Sequence, residues 1–244
     1  MDAKTEDKTR MRPEEKPGRT FWILMVVGVV VVGTMSISHY LRIDRARGDS
    51  RRGVRLSSLP ILGEVPEFSL TERNGSPIGL DALRGRVWVA DFIFTYCAGP
   101  CPIMSQRMKE LQDALEGERL GEVRCVSFTL DPVRDTPDIL KVYADDYGAD
   151  ADRWLFLTGD KQQVFDLTLK GFKLAVQDET EDDPIIHSTR FVLVDREGRI
   201  RRYYEAITDD EMQDLIGVSG KPLPADVKQQ MLADIRSLVR EGGR

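Results

Sequence analysis

Residues 20–41 are the feature that most restricts how this chain folds, because they contain no Asp, Glu, Lys or Arg. The stretch lies between Arg19 and Arg42 and is rich in Val, Ile, Leu and Met. A membrane-spanning helix needs about 20 predominantly apolar residues. The pattern therefore predicts a transmembrane signal anchor over residues 20–41, preceded by a short cytoplasmic tail over residues 1–19.

Two other kinds of N-terminal segment are less compatible with this sequence. A cleaved signal peptide would show a shorter charged region and an A-x-A-like site after the apolar stretch, and neither is present. A mitochondrial transit peptide would lack the acidic residues found before Arg19. Both flanks are rich in Lys and Arg, so charge does not fix the orientation. We expect a single-pass protein of the bacterial inner (cell) membrane. The side of the membrane on which its domain lies must be inferred from the chemistry of that domain.

The rest of the chain predicts a polar, basic linker over residues 42–63 and one domain over residues 64–244. The whole chain of 244 residues carries a formal net charge of −6. The segments around the apolar stretch are net basic, so the acidic excess lies in the domain. An acidic surface repels phosphate backbones, which argues against nucleic acid as a partner.

Apolar runs and turn residues alternate along the domain in a way that predicts strands and helices in turn. The predicted strands cover 87–94, 122–130, 154–158, 189–195 and 199–205. Helices are predicted from Pro102 to Gly117, over 136–147, over 161–170 and after a capping box formed by Thr208 and Glu211. This order, which closes with a β-hairpin and a helix, predicts an α/β domain with a central sheet flanked by helices.

Cys97 and Cys101 follow the first long predicted strand and stand at the start of a helix. Backbone N–H groups and the helix dipole stabilise a thiolate there, so we expect depressed pKa values and reactivity toward an oxidant or a soft metal. A redox-active disulfide between the two is the same chemistry in its oxidised form, and an inert structural disulfide is the alternative. Cys125 lies within a predicted strand and is interpreted as a core residue.

The chain has two histidines, and only His187 lies within the predicted domain. It precedes the strand predicted at 189–195, and a single loop histidine is often no more than solvent-facing. Together with the two cysteines, however, it completes a soft three-donor set that suits copper(I), whereas zinc normally takes a fourth ligand.

Three ordered motifs resemble the Sco/SenC family of copper-binding proteins. They are Thr95-Tyr96-Cys97 through Cys101-Pro102, Asp131-Pro132-Val133-Arg134-Asp135-Thr136, and His187-Ser188-Thr189. With Leu157-Thr158-Gly159, the resemblance spans approximately residues 64–216.

The resemblance implies a membrane-anchored, thioredoxin-like domain in the periplasm that holds copper through Cys97, Cys101 and His187, with copper(I) favoured and copper(II) an alternative. It implies a metallochaperone that helps assemble the binuclear copper centre of cytochrome c oxidase. The implied partners are the copper-bearing oxidase subunit and another copper chaperone or thiol reductase. Asp131 matches the family's aspartate and would orient a ligand or tune thiolate protonation, unless it serves only to start a turn.

The same sulfurs allow three rival functions. A membrane-tethered thiol-disulfide oxidoreductase would use both cysteines as an enzyme, although such proteins usually carry C-x-x-C. A peroxidase is less compatible with the position of Thr95, and a copper or redox sensor would carry the same site. The acidic run 178–183 beside His187 is interpreted as a solvated loop, with docking of a basic partner as the alternative.

Overall fold

Eight strands form one mixed sheet in the part of the chain that the computed structural model describes, residues 59–174 and 188–241. In chain order the strands are β1 (Gly63–Glu64), β2 (Ser69–Glu72), β3 (Pro77–Gly79), β4 (Trp88–Ile93), β5 (Arg124–Thr129), β6 (Trp154–Thr158), β7 (Arg190–Val194) and β8 (Arg199–Glu205).

Helices connect and cover these strands. They are α1 (Leu80–Leu83), α2 (Cys101–Gly117), α3 (Pro137–Asp146), α4 (Lys161–Asp166), α5 (Asp209–Met212), α6 (Leu215–Val218) and α7 (Ala225–Glu241). A π-helical turn, Leu167–Gly171, continues α4.

The strand order across the sheet is β1-β8-β7-β4-β5-β6-β2-β3. β4 pairs in parallel with β5, and β5 with β6, so the carboxyl ends of these three strands share one edge. β7 runs antiparallel to β4 on its other side, with Ala90 opposite Val192 and Trp88 opposite Val194. The start of β7 therefore lies at the edge where β4 ends.

Alternate residues of the central strands feed two separate hydrophobic cores, as the period of two in a strand requires. Val89 and Ile93 of β4 belong to the core that α2, α3 and α7 cover. Trp88, Ala90 and Phe92 point to the opposite core, which α1, α4 and the π-helical turn cover. The sheet is thus buried on both faces, which explains why β4 is almost entirely apolar.

The prediction of a central sheet flanked by helices is confirmed, and each of the five predicted strands is present with its ends shifted by a few residues at most. The capping box of Thr208 and Glu211 is also confirmed. The expectation that it opens the terminal helix is wrong, because it opens α5, which ends at Met212, and the terminal helix α7 begins only at Ala225. Strands β1 to β3 have no counterpart among the strands predicted from the sequence.

Several predicted features lie outside the described residues: the tail, the anchor at 20–41, most of the linker, the acidic run 178–183 and His187. Within residues 59–174 and 188–241, none of the helices combines the length and the apolar character that crossing a membrane requires.

Candidate metal centre

The two cysteines lie at the carboxyl-terminal edge of β4, where the chain leaves the sheet and enters α2. Cys101 is the first residue of α2 and is buried, whereas Cys97, in the preceding loop, is half-buried. Neither cysteine is in a disulfide, and their side chains are hydrogen-bonded to each other. The backbone N–H of Gly99 also donates to Cys97 Sγ at 3.3 Å. The fold therefore presents one accessible sulfur with a second sulfur directly behind it.

The expectation of a depressed pKa is wrong for Cys101. Its hydrogen bond to Cys97 raises the pKa of the Cys101 thiol, and burial raises it further. Two neighbouring sulfurs resist carrying two negative charges, and this effect outweighs the backbone hydrogen bond from Phe94 that favours the thiolate. Cys101 consequently holds its proton at neutral pH until something replaces that proton.

Asp135, in the second motif, fixes the cysteine loop to the neighbouring strand. Its fully buried carboxylate accepts the backbone N–H of Thr95 at 3.0 Å and the hydroxyl of Thr95 as well. It also accepts the hydroxyl of Thr129, at the end of β5. Hydrogen bonds to a charged acceptor are among the stronger ones in proteins. In the sequence Asp135 is recognisable only as part of the second motif, and its role follows from the parallel pairing of β4 with β5.

Asp131, the predicted supporting residue, lies in the same turn but faces outward more than Asp135. Its carboxylate is 3.5 Å from the Arg134 guanidinium, and its backbone N–H donates to Thr129 Oγ1 at 3.0 Å. Arg134 in turn lies over the ring of Tyr96, 5.8 Å from its centroid. Asp131 therefore belongs to the surface layer next to Cys97, and its predicted influence on a ligand stays a prediction.

The structure brings Cys97 and Cys101 together, but it does not describe His187. The next residue, Ser188, is buried and leads directly into β7. Because β7 is antiparallel to β4, the chain approaches β7 from the same edge of the sheet at which the cysteine loop lies. Within the described ranges, no group of three or more His, Cys, Asp or Glu residues is arranged to hold a metal.

A short helical segment forms a further wall of the site. Leu215 of α6 lies beside Gly99, close to the position that a β-carbon on Gly99 would occupy. The helix before it, α5, is tied to α2 by Arg107, whose buried guanidinium contacts Glu211 of α5 at 2.8 Å and also donates to the Ala206 carbonyl. Arg107 was not singled out in the sequence, because an arginine in a charged helix is normally exposed.

Asp91 is a polar residue of β4 that the sequence analysis also missed. It is fully buried, and its Oδ1 accepts the hydroxyl of Ser127 at 2.5 Å, which in turn accepts Trp154 Nε1 at 2.8 Å. Its Oδ2 has no hydrogen-bond partner among the described residues. Burial raises the pKa of Asp91 to about 7, against the opposing effects of Ser127 and its own backbone N–H. The occurrence of a single acidic residue within the apolar sequence of β4 was the signal that could have revealed Asp91.

Cys125 lies in the middle of this face, on β5, and is fully buried in the same core as Cys101. Burial raises the pKa of its thiol. A neutral, inaccessible thiol behaves as a small hydrophobe, as the sequence predicted. The chemically available sulfurs in the described residues are therefore Cys97 and Cys101, a pair that suits a soft metal ion or a reversible disulfide.

Comparisons with known proteins identify the family. A sequence profile described as SCO1/SenC matches residues 62–216. A SCO1 protein homologue of Bacillus subtilis is 37% identical over 158 residues, which is 64% of this chain and 81% of that protein. A protein of Stutzerimonas stutzeri named for copper binding is 33% identical over 150 residues, 61% of this chain and 72% of its own.

Solved structures agree with the sequence comparisons. A SCO1/SenC family lipoprotein of Bacillus anthracis superimposes with a TM-score of 0.61 at 30% identity, covering 72% of this chain and 95% of its own. BsSco, described with a disulfide switch and as a member of the Sco family of cytochrome c oxidase assembly proteins, gives 0.60 at 32% identity, covering 75% and 98%. The domain has the thioredoxin-type α/β fold that the resemblance implied. Because the family profile spans more than half of the sequence, this chain belongs to the SCO1/SenC family.

Proposed function

We propose that this protein is a metallochaperone that binds copper through Cys97, Cys101 and His187 and delivers it during assembly of the binuclear copper centre of cytochrome c oxidase. Membership of the SCO1/SenC family supports this proposal, as does the similarity to a protein named for copper binding. BsSco belongs to a group named for oxidase assembly. The proposed partner is the copper-bearing subunit of the oxidase.

The pairing of two reduced thiols at one end of β4 carries the proposal. The sulfurs are adjacent, one is accessible, and the peptide before β7 approaches the same edge of the sheet. His187 is one residue before Ser188, so the topology favours a third donor on this edge. Two thiolates and one imidazole are a soft set of low coordination number, which is the preference of copper(I).

The protonation of Cys101 determines how such a site would load. Because its pKa is raised, copper must displace the proton from Cys101 as it binds, and affinity should increase with pH. Release to the partner then proceeds by exchange of these thiolates for thiolates of the acceptor. Asp135 holds the loop through Thr95 throughout, so both sulfurs keep their spacing while the ligands change.

We further propose that residues 20–41 anchor the protein in the bacterial inner membrane, with the domain in the periplasm. The uncharged stretch is long enough to span a bilayer. An anchored relative exists in the Bacillus anthracis lipoprotein. Protease added to spheroplasts should digest the domain if it faces the periplasm, whereas resistance to protease until the membrane is broken would place it in the cytoplasm.

The test is an anaerobic copper(I) titration of the reduced full chain, in mild detergent, against a competing chelator. The variants are Cys97→Ala, Cys101→Ala and His187→Ala, with Cys125→Ala as the matched control because it removes a thiol from the core. We expect one-to-one binding that is weakened in the three ligand variants and unchanged in the control.

Two results would contradict the proposal. Equal copper affinity in wild type and Cys97→Ala would show that the pair is not the site. Cysteine-dependent binding that is indifferent to His187, together with rapid reduction of a disulfide substrate such as insulin, would instead identify a membrane-tethered thiol-disulfide oxidoreductase.

A further inference from the structure

Asp91 is an ionisable group on the face of the sheet that carries the site. Strand alternation places it with Val89 and Ile93, whose core α2 covers and Cys101 belongs to. Its hydrogen bonds satisfy only Oδ1, while Oδ2 is without a partner among the described residues. An unsatisfied carboxylate oxygen in a core is unfavourable and requires an explanation.

Within residues 59–174 and 188–241, no positively charged side chain is paired with the Asp91 carboxylate. Ser127 and Cys125 face it from β5, Trp154 reaches it through Ser127 from β6, and Cys101 faces this core from α2. The side chain of Asp91 is hydrogen-bonded to Ser127 and acts on the two buried cysteines through its charge. That negative charge raises the pKa of both Cys101 and Cys125.

We propose that Asp91 regulates the charge of the site, such that the copper-bound dithiolate forms together with a protonated Asp91. This proposal rests on the proposed function of Cys97 and Cys101 as copper ligands. A copper(I) ion with two thiolates carries one net negative charge, which a second negative charge in the same core disfavours. A proton on Asp91 removes that repulsion.

The proton balance changes with the state of Asp91. When Asp91 is already neutral, copper(I) replaces the two thiol protons and both leave the protein. When Asp91 is ionised, copper(I) again displaces two protons, but one moves to the Asp91 carboxylate and only one reaches the solvent. Loading therefore releases fewer protons above neutral pH, and the gain in copper affinity with rising pH becomes shallower.

The experiment compares wild type with Asp91→Asn, which keeps the shape of the neutral carboxyl group and removes its charge. Copper(I) affinity of the reduced full chain is measured by chelator competition at pH 6, 7 and 8. Because Asp91 titrates near pH 7, we expect equal affinities at pH 6 and about tenfold tighter binding by Asp91→Asn at pH 8. Histidine protonation affects both proteins alike and drops out of the ratio.

Two further variants guard against effects of misfolding. Ser127→Ala keeps the carboxyl group but removes the hydrogen bond that favours its ionised form, so its affinity at pH 8 should lie between those of wild type and Asp91→Asn. Asp152→Asn removes an exposed carboxylate and should follow wild type at every pH.

Each outcome decides the question. A ratio between Asp91→Asn and wild type that is the same at pH 6 and pH 8 overturns the role of Asp91, even if binding depends on Cys97. If Asp91→Asn does not fold, Ser127→Ala with the affinity of wild type at pH 8 overturns it. Copper affinity that does not depend on Cys97 overturns the proposed function, and the role of Asp91 with it.

Discussion

Replacing Asp91 by asparagine should change how the stability of the domain depends on pH, with no metal present. The folded state raises the pKa of Asp91 from 3.8 to about 7, chiefly by burial. Between these values the folded protein binds a proton that the unfolded chain has lost. The contribution of Asp91 to stability is therefore fully present below pH 3.8 and is lost as the pH rises to about 7.

The magnitude follows from the size of the shift. A rise from 3.8 to about 7 is close to three pKa units, and each unit corresponds to about 1.4 kcal/mol, so the wild type should lose about 4 kcal/mol from this residue. The carboxyl group is fully buried, so solvent does not screen the effect. Asp91→Asn cannot ionise, and its stability relative to wild type should improve by about 4 kcal/mol between pH 4 and pH 8.

Urea unfolding at several pH values measures this difference. The buried indoles of Trp88 and Trp154 provide a fluorescence signal that changes on unfolding. The exposed Asp152→Asn variant is the control and should parallel wild type. A constant offset between Asp91→Asn and wild type over the whole range would refute the reasoning, because it would mean that the buried carboxyl group does not change its protonation on folding.

Four further substitutions test the surroundings of the cysteines. Asp135→Ala removes the acceptor of three hydrogen bonds and should lower the unfolding free energy in urea by about 3 kcal/mol or more; a loss under about 1 kcal/mol would contradict its role. Arg107→Met should raise hydrogen exchange in α5 about tenfold, and unchanged exchange would show that this ion pair does not hold that helix. Arg107 lowers the pKa of Glu211, so Glu211→Gln should have a lower free energy of unfolding than wild type above the usual pKa of glutamate. The two unfolding free energies should converge as the pH falls, and a difference that stays constant with pH would contradict this. Cys125→Ala should lower stability by about 1–2 kcal/mol with unchanged copper affinity, and weakened copper binding would make Cys125 part of the site.

The central strands and α2 were predictable because their patterns are local. The apolar run that contains β4, the proline after Cys101 and the step of three or four between Met104 and Leu115 each reflect burial on one face. The three N-terminal strands have at most four residues each and lacked such a pattern. Their pairing with distant strands, such as β2 with β6, is set by tertiary packing that a short sequence window does not contain.

The two cysteines of the site were predictable from the sequence, but the residues that hold the cysteine loop in place were less so. Asp131 and Asp135 occupy one turn, and only the pairing of β4 with β5 decides that Asp135 faces Thr95. The wrong prediction for the pKa of the Cys101 thiol has a related cause. A helix N-terminus favours a thiolate in isolation, but the second sulfur and the burial that the fold imposes reverse the direction.

The position of β4 between β5 and β7 also determines when, during synthesis, the neighbouring strands pack around the cysteines. Cys97 and Cys101 emerge early, whereas β7 begins only at Arg190. Contacts between parts of the chain so far apart form late, since the whole intervening segment must first be present. A nascent chain therefore carries two unprotected thiols while all the residues between Cys101 and Arg190 are being made. Premature oxidation or metal capture in that interval is a hazard that the architecture itself creates, and an oxidant-free environment during folding should raise the yield of the reduced protein.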